Sequence, residues 1–167
     1  LIMFFSMLST YDSGFSKEAS FTWFDMGAFS IQLGFLIDNI TIIMLVVVAL
    51  ISTCTHIFSL EYMSGDIRYS RYYAYLGLFT FSMNGIVLAN NLISMYMFWE
   101  LVGVSSYLLI GHWFEKDSAA NAAKKAFLTN RVGDIGFFIG IMLLFTAIGS
   151  FAFSDIFDGV ANGKITG

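Results

Sequence analysis

The strongest constraint on the fold is a succession of four long apolar stretches, at 35–59, 72–89, 92–114 and 119–149. Each is near or above the roughly 20 residues that a helix needs to cross a bilayer. Only helices and closed barrels satisfy their backbone groups in hydrocarbon, and these continuous runs lack the alternation of barrel strands. The sequence therefore predicts an all-α integral membrane protein with four transmembrane helices.

The composition excludes several other classes of protein. Charged residues make up 12% of the chain, whereas soluble domains average about 25%. The net charge of -4 argues against nucleic-acid binding. A single cysteine, Cys54, excludes an intrachain disulfide and a CxxC pair. The sequence has no phosphate-binding loop, no HExxH motif and no ligand set for flavin, haem or an iron–sulfur cluster, so we expect no cofactor in this chain.

The segments outside the four stretches are predicted from their length and residue types. The apolar run at 1–8 is too short to span a bilayer and is interpreted as the end of an upstream helix, in a fragment of a longer protein. In the external segment 9–34, β-branched and aromatic residues flank a turn at 25–27, which predicts a β-hairpin at the membrane surface. The alternative is an interfacial loop anchored by Trp23. We expect 150–167 to be an external loop.

The basic residues predict the orientation of the chain. Arg68 and Arg71 follow the first stretch, and Lys116, Lys124 and Lys125 lie at or near the start of the fourth. Four spans place both connections on one side of the membrane. By the positive-inside rule that side is the cytoplasm or its organellar equivalent, and we call it the inner side.

Glu100 is a carboxylate inside the third apolar stretch. It lies about eight residues into that stretch, so roughly 12 Å deep at 1.5 Å per residue. A charge at that depth costs about 3 kcal/mol on insertion scales and is tolerated when it faces the bundle interior or a hydrated cavity. A buried carboxyl group with a cation nearby can exchange protons near neutral pH, so Glu100 is a candidate proton-transfer residue. The alternative is a neutral glutamic acid that hydrogen-bonds neighbouring helices together.

The fourth stretch contains further charged residues. Arg131 and Asp134 are three positions apart, which places them on one helical face where they can pair. The pair is either a structural ion pair or a support for a proton path. Lys124 and Lys125 are either interfacial anchors or the mouth of a polar route from the inner side.

Four other polar residues are weaker candidates. His56 and His112 fall near the inner ends of the first and third stretches. Because histidine titrates near neutral pH, either is a candidate proton relay, and the alternative for each is an interfacial residue without such a role. Asn84 is interpreted as hydrogen-bonding between helices, and Asp38 suits a helix N-terminus.

Three segments of the third and fourth stretches resemble a known family. They read FWELVGVSSYLLIGHWF at 98–114, AANAAKKAF at 119–127 and NRVGDIGF at 130–137. They are similar to the signature region of the subunit 5 (subunit L) family, the largest antiporter-like membrane subunits of NADH:quinone oxidoreductase, respiratory complex I. The resemblance extends over nearly the whole chain from Phe21 onward, so the chain resembles a fragment of such a subunit.

The resemblance implies a fold and roles for particular residues. The family forms an antiporter-like bundle of many transmembrane helices, with two inverted repeats and an external β-hairpin that links neighbouring subunits. Glu100 matches its essential membrane glutamate, whose partner lysine lies on a broken helix beyond this chain. Arg131 and Asp134 match the family's arginine and aspartate in NRVGD, which are implicated in proton translocation or in supporting the glutamate–lysine pair. Lys124 and Lys125 match the family's AAKKAF segment.

The resemblance also implies a function, partners and a location. It implies a proton-translocating subunit, in contact with other membrane subunits of complex I and the bilayer, in a bacterial plasma membrane or a mitochondrial inner membrane. NADH, FMN, iron–sulfur clusters and quinone would be bound by other subunits. Subunits of multisubunit Na⁺/H⁺ antiporters and membrane-bound hydrogenases share the WELVG and NRVGD patterns and remain the alternative. The chain departs from the family at His112, where an aromatic residue is usual, and at Ser105, where cysteine is common.

Overall fold

The computed structural model describes residues 15–25 and 30–163, which form a β-hairpin followed by a row of helices. The elements are β1 (Ser16–Asp25), β2 (Ser30–Asp38), α1 (Asn39–Tyr62), α2 (Tyr69–Leu88), α3 (Leu92–Ile110), α4 (Asp117–Ile148) and α5 (Phe153–Ala161). The helical fold and the predicted hairpin are confirmed. The upstream helix predicted for 1–8 lies outside the described residues.

The long helices pack in chain order, α2 against α1 and α3, and α4 against α3. The α1–α2 and α3–α4 connections lie at one end, because Trp113 Nε1 donates a hydrogen bond to Asp66 Oδ2 at 2.9 Å and Arg68 Nη1 donates to the carbonyl of His112 at 3.1 Å. We call it the inner end, since it contains the basic residues that predict the inner side. The predicted sharing of one side by these two connections is confirmed.

The hairpin lies at the opposite end, which we call the outer end. Asn91, in the turn between α2 and α3, donates a hydrogen bond from Nδ2 to the carbonyl of Gln32 on β2 at 2.7 Å. Asn90 Nδ2 donates to Glu18 Oε1 on β1 at 2.7 Å. A Cβ added to Gly34 would meet Asn90 Nδ2 at 2.4 Å, so only glycine fits at this crossing. The hairpin is therefore fixed against the α2–α3 turn.

Three of the four long helices, α1, α3 and α4, are long and apolar enough to cross a membrane. α2 has 20 residues and connects the same two ends. Its hydropathy falls below theirs because its first two turns contain Arg71 and four tyrosines. The transmembrane span predicted at 72–89 thus stays a prediction, which rests on the length and antiparallel packing of α2.

The helix boundaries differ from the predicted ones where local capping decides them. The first helix begins at Asn39 rather than at 35, because β2 continues to Asp38 and the Asp38 carboxylate accepts a hydrogen bond from the Thr41 N–H at 2.7 Å. α3 ends at Ile110 rather than at 114, since the chain turns at Gly111. α4 ends before Gly149, whose φ of 84° is a left-handed conformation that favours glycine.

The segment 150–167, predicted as a loop, contains the helix α5, so that prediction is wrong for Phe153–Ala161. Apolar residues at three- and four-residue spacing give α5 one apolar face, which packs through Ile156 against Leu92 of α3 and Ile141 of α4. The Leu92 N–H donates to the carbonyl of Phe151 at 3.0 Å. This short amphipathic helix covers the outer end of α3 and α4.

Candidate functional site

Glu100 faces α4, where it meets Arg131. Arg131 Nη1 donates a hydrogen bond to Glu100 Oε2 and forms an ion pair with it. The Glu100 side chain is 21% exposed and that of Arg131 is 39% exposed in the chain alone. The guanidinium also lies over the ring of Phe127, 4.9 Å from its centroid. An ion pair within two apolar helices therefore joins α3 to α4.

The second carboxylate oxygen of Glu100 is bound from within α3. Tyr96 donates its hydroxyl hydrogen to Glu100 Oε1 at 2.8 Å. The two residues are four positions apart and so lie on the same helical face. The Tyr96 ring contacts Phe137 and Phe138 of α4, with centroids 5.7 and 5.6 Å apart. Both oxygens of Glu100 are thereby held by donors whose positions are fixed by packing.

Asp134 is a second carboxylate beside the same guanidinium. Its Oδ2 lies 3.8 Å from Arg131 Nη1, and its Oδ1 accepts a hydrogen bond from Trp99 Nε1 at 3.0 Å. Asp134 is 5% exposed. The predicted Arg131–Asp134 pairing is present, but the closer partner of Arg131 is Glu100. We refer to Glu100, Arg131 and Asp134 as the charge triad.

The charge triad places one guanidinium between two carboxylates. With both carboxylates ionised it carries one net negative charge, and with one proton bound it is neutral. Asp134 is the buried member, whereas Glu100 and Arg131 are partly exposed in the chain alone, and a net charge costs more the lower the local dielectric constant is. Glu100 and Asp134 are therefore coupled through one shared cation.

An open cavity of about 390 Å³ lies between α2, α3 and α4, beside Asp134. Its volume is enough for roughly ten water molecules at ~30 Å³ each. Added Cβ atoms at Gly103 and Gly133 would meet nothing within 4 Å, so these glycines widen the space. The lining residues are Met83, Ile86, Trp99, Val102, Gly103, Thr129, Asn130, Gly133, Asp134 and Phe137. The lining is mainly apolar, and Thr129, Asn130 and Asp134 contribute polar side chains on the α4 side of the cavity.

Lys124 and Lys125 are not brought to the charge triad. Both are exposed and lie seven and six residues before Arg131, respectively, about 9–11 Å away along α4. Within the described part of the chain, neither side chain has a recorded hydrogen bond or ion pair. Their suggested role in an inner polar route stays a prediction.

The two histidines lie away from the charge triad, towards the inner end. His56 Nδ1 is 2.7 Å from the carbonyl of Ser52, whose hydroxyl is 2.8 Å from Thr80 Oγ1 of α2. His112 is 3% exposed, and its Nε2 lies 3.6 Å from Asp66 Oδ2. Neither histidine contacts Glu100 among the described residues, so neither is in position to exchange a proton directly with Glu100.

Tyr96 and Trp99 complete the site and were not singled out from the sequence. The four-residue spacing between Tyr96 and Glu100 is a signal that could have indicated their hydrogen bond. The bond from Trp99 to Asp134 crosses from α3 to α4 and has no signal of this kind. In the described ranges, no group of three His, Cys, Asp or Glu residues is arranged to hold a metal ion.

Two family models match the sequence. Residues 23–73 match the N-terminal model of chain 5 of NADH-ubiquinone oxidoreductase, complex I. Residues 89–166 match the transmembrane model of the NADH:quinone oxidoreductase/Mrp antiporter family. The second match contains the whole charge triad.

Curated relatives are similar along most of this chain. The chain is 44% identical over 170 residues to NAD(P)H-quinone oxidoreductase subunit 5, chloroplastic, of Adiantum capillus-veneris, covering 99% of this chain and 23% of the relative. It is 51% identical over 142 residues to the chloroplastic subunit 5 of Anthoceros angustus, covering 85% of this chain and 19% of the relative. A subunit 5 from the organellar chromatophore of Paulinella chromatophora is 49% identical over 140 residues, covering 84% of this chain and 21% of the relative. The chain thus spans about a fifth of the length of the curated relatives it matches.

Two solved structures share the fold. The Mrp complex from Dietzia sp. DQ12-45-1b matches with a TM-score of 0.80 and 22% identity, over 95% of this chain and 17% of the matched one. An archaeal membrane-bound sulfane sulfur reductase matches with a TM-score of 0.68 and 18% identity, over 74% of this chain and 25% of the matched one. At these identities the matches establish the helical arrangement and nothing further.

Proposed function

We propose that this chain is part of a proton-translocating subunit. The premise is that the chain belongs to the family of antiporter-like membrane subunits of NADH:quinone oxidoreductase and Mrp antiporters. The parent complex would oxidise NAD(P)H, reduce a quinone and couple that reaction to proton movement. The identities of 44–51% to subunits of NAD(P)H-quinone oxidoreductase support this assignment.

The observation that carries the proposal is the sharing of Arg131 by Glu100 and Asp134. A site with two carboxylates and one cation binds a proton readily, and releases it when a further cation approaches. A change in the separation of such charges alters the proton affinity of a carboxylate by several factors of ten. Each factor of ten corresponds to about 1.4 kcal/mol. A modest movement in the parent complex would therefore load or release a proton at Glu100.

The surroundings of the charge triad support a route for that proton. The cavity beside Asp134 has Thr129 and Asn130 in its lining, which gives water molecules polar partners there. Lys124 and Lys125 lie towards the inner end of the same helix, where they would form an inner polar route. We propose that Asp134 exchanges protons with hydrated space and that Arg131 transmits its charge state to Glu100.

The proposal includes partners and compartment. The partners are protons, the lipid bilayer and other membrane subunits of the complex, with NAD(P)H, FMN, iron–sulfur clusters and quinone bound in other subunits. The chain itself contributes no redox site to this scheme. The sequence predicts a bacterial plasma membrane or a mitochondrial inner membrane, but the names of the relatives give neither and instead favour a chloroplast membrane.

The second candidate is a subunit of a Na⁺/H⁺ antiporter or of a membrane-bound hydrogenase. The family model that matches residues 89–166 includes Mrp antiporter subunits, which supports this candidate. The charge triad would serve either machine, because both move protons. The higher identity to the oxidoreductase subunits places the first candidate ahead.

The test uses the full-length subunit within its complex, reconstituted in vesicles. Glu100→Gln and Glu100→Ala are assayed for quinone reduction and for proton uptake, with Glu61→Gln as the matched control because Glu61 is exposed at the end of α1. We expect both Glu100 variants to lose most proton uptake and the control to retain it. Near-normal pumping in both variants would contradict the proposal, and Na⁺-dependent counterflow without NAD(P)H would favour the antiporter.

A further inference from the structure

His112 is a buried imidazole that lacks hydrogen bonds. It is 3% exposed, and neither Nδ1 nor Nε2 has a hydrogen-bond partner among the described residues. Buried polar atoms in proteins almost always have a partner, so an unpartnered pair on one ring requires an explanation. Its position, just beyond the inner end of α3, separates it from Glu100 by about 18 Å along the chain.

The groups around the imidazole include one carboxylate, that of Asp66 in the α1–α2 connection, 3.6 Å from Nε2. The ring of Tyr72 on α2 meets it edge-on at 5.5 Å, and so does the ring of Trp113. The Arg68 guanidinium donates to the backbone carbonyl of His112 at 3.1 Å. The charge that faces the imidazole nitrogen directly is therefore negative.

The other charges at this end contact different partners. Glu115 forms an ion pair with Arg68. Lys116 lies over the ring of Trp113, 5.6 Å from its centroid. Arg71 lies over the rings of Tyr75 and Phe114, at 5.4 and 5.5 Å. None of these contacts supplies a hydrogen bond to either ring nitrogen of His112 within the described part of the chain.

We propose that His112 and Asp66 form a proton-binding site that strengthens the attachment of the α1–α2 connection to the inner end of α3 when the imidazole is protonated. A separation of 3.6 Å exceeds the 2.7–3.2 Å of ordinary N–H···O bonds. Protonation places a hydrogen on both ring nitrogens and gives the ring a positive charge. Contraction by less than about 1 Å then produces a charge-assisted bond of ~2.8 Å.

Asp66 is prepared to receive that charge. The Arg68 backbone N–H donates to its Oδ1 at 2.7 Å and Trp113 Nε1 donates to its Oδ2 at 2.9 Å. These donors, together with the nearby imidazole, hold the pKa of the Asp66 carboxyl below its usual value of 3.8. Asp66 is thus ionised throughout the neutral range and presents a negative charge to the imidazole, 3.6 Å from Nε2.

The consequence is a pH-dependent attachment. In the proposed site, the charge-assisted bond between the protonated ring and Asp66 exists only while the connection is closed. By linkage, closure is favoured as the pH falls and this contribution is lost as the pH rises. A tenfold difference in proton affinity between the closed and the open connection can change the equilibrium between them by up to about tenfold. The site acts at the inner surface and does not depend on proton transfer at Glu100.

The test is hydrogen–deuterium exchange of the full-length complex between about pH 5.5 and pH 8. The reporters are two amides that the closed connection holds: the Asp66 N–H, bonded to the carbonyl of Met63 at 3.1 Å, and the Arg68 N–H, bonded to Asp66 at 2.7 Å. After correction for intrinsic exchange, we expect their protection to fall about tenfold across this range.

Three variants separate the proton-binding role from simple packing. His112→Phe keeps a planar ring but binds no proton, and Asp66→Asn keeps an acceptor for the Arg68 N–H but loses the charge. We expect both to remove the pH dependence of protection. His56→Gln alters the other of the two histidines in the chain and should leave that dependence intact.

Two results would overturn the proposal. One is protection in the unaltered protein that does not change with pH after the correction. The other is a pH dependence that persists in His112→Phe or in Asp66→Asn. Quinone reduction and proton uptake are separate readouts, so loss of the proposed function at Glu100 would not produce either result.

Discussion

Arg131 on α4 binds Glu100 on the neighbouring helix more closely than it binds Asp134 on its own helix. The charges of this membrane segment are thus paired between helices as well as along one. Removing one member of an ion pair between apolar helices leaves the other charge without compensation, which is unfavourable where the dielectric constant is low. The contact consequently connects the relative position of α3 and α4 to the charge state of the site.

Replacement of Arg131 should impair proton uptake most. In Arg131→Ala both carboxylates lose their cation, and a hydrogen bond to a charged group is worth about 1.5–3 kcal/mol, or roughly 10- to 100-fold in an equilibrium. We expect a decrease of that order in proton uptake by reconstituted vesicles. Arg131→Lys keeps the charge but loses the planar guanidinium. Its proton uptake should lie between that of Arg131→Ala and that of the unaltered protein. Equal uptake in Arg131→Ala and unaltered protein would contradict the role of the ion pair.

The hydroxyl of Tyr96 should position the Glu100 carboxylate. Tyr96→Phe removes the 2.8 Å hydrogen bond and keeps the ring that packs on α4. A hydrogen bond to a charged group contributes about 1.5–3 kcal/mol, so proton uptake should fall roughly 10- to 100-fold. Tyr107→Phe is the control, because the Tyr107 ring packs on Phe127 away from Glu100. A Tyr96→Phe protein indistinguishable from the control would show that the hydroxyl has no part in proton transfer.

Asp134 should set the number of protons that the charge triad binds. In Asp134→Asn, Arg131 and an ionised Glu100 together are neutral, so the drive to take up a proton is removed. We expect proton uptake to fall about tenfold or more while quinone reduction by the complex changes less. Asp155→Asn, at an exposed position on α5, is the matched control. If Asp134→Asn takes up the normal number of protons per quinone reduced, this carboxylate is not part of the proton path.

Asn91 should stabilise the outer end twice over. Its Oδ1 caps α3 by accepting from the Ser94 N–H at 2.7 Å, and its Nδ2 binds the carbonyl of Gln32 at 2.7 Å. Loss of a cap costs about 1 kcal/mol, up to 2 in some hosts. Asn91→Ala should therefore lower the thermal midpoint and expose the hairpin to limited proteolysis. Asn121→Ala, at an exposed position near the start of α4, should change neither measurement.

The sequence predicts much of the fold because crossing a bilayer is a local requirement of length and apolarity. Glu100 was found because it interrupts an apolar stretch, and the Arg131–Asp134 contact because helical spacing places both on one face. The bond between Arg131 and Glu100 depends on how α3 and α4 are rotated against each other, which the periodicity of neither helix encodes. Trp99 was missed for the same reason.

Two further features needed the folded chain. The segment 150–167 is predicted as a loop, although Phe153 and Ile156 already have the spacing of an apolar helical face. The burial of His112 arises because the α1–α2 connection folds back over the end of α3, and contacts between such distant segments have no short-range signal.

The clamping of the outer end has a mechanical consequence for α3. The Asn91 cap, the hydrogen bond from Leu92 to Phe151 and the crossing of Asn90 over Gly34 hold its first turn. A rod secured at one tip pivots there, and displacement grows with distance from the pivot. α3 has 19 residues, or about 28 Å at 1.5 Å per residue, so a tilt of about 5° would sweep its far tip through ~2.5 Å. Glu100 lies less than halfway along α3 and would travel under half as far. Such a tilt would therefore displace the inner end of α3 more than it displaces the charge triad.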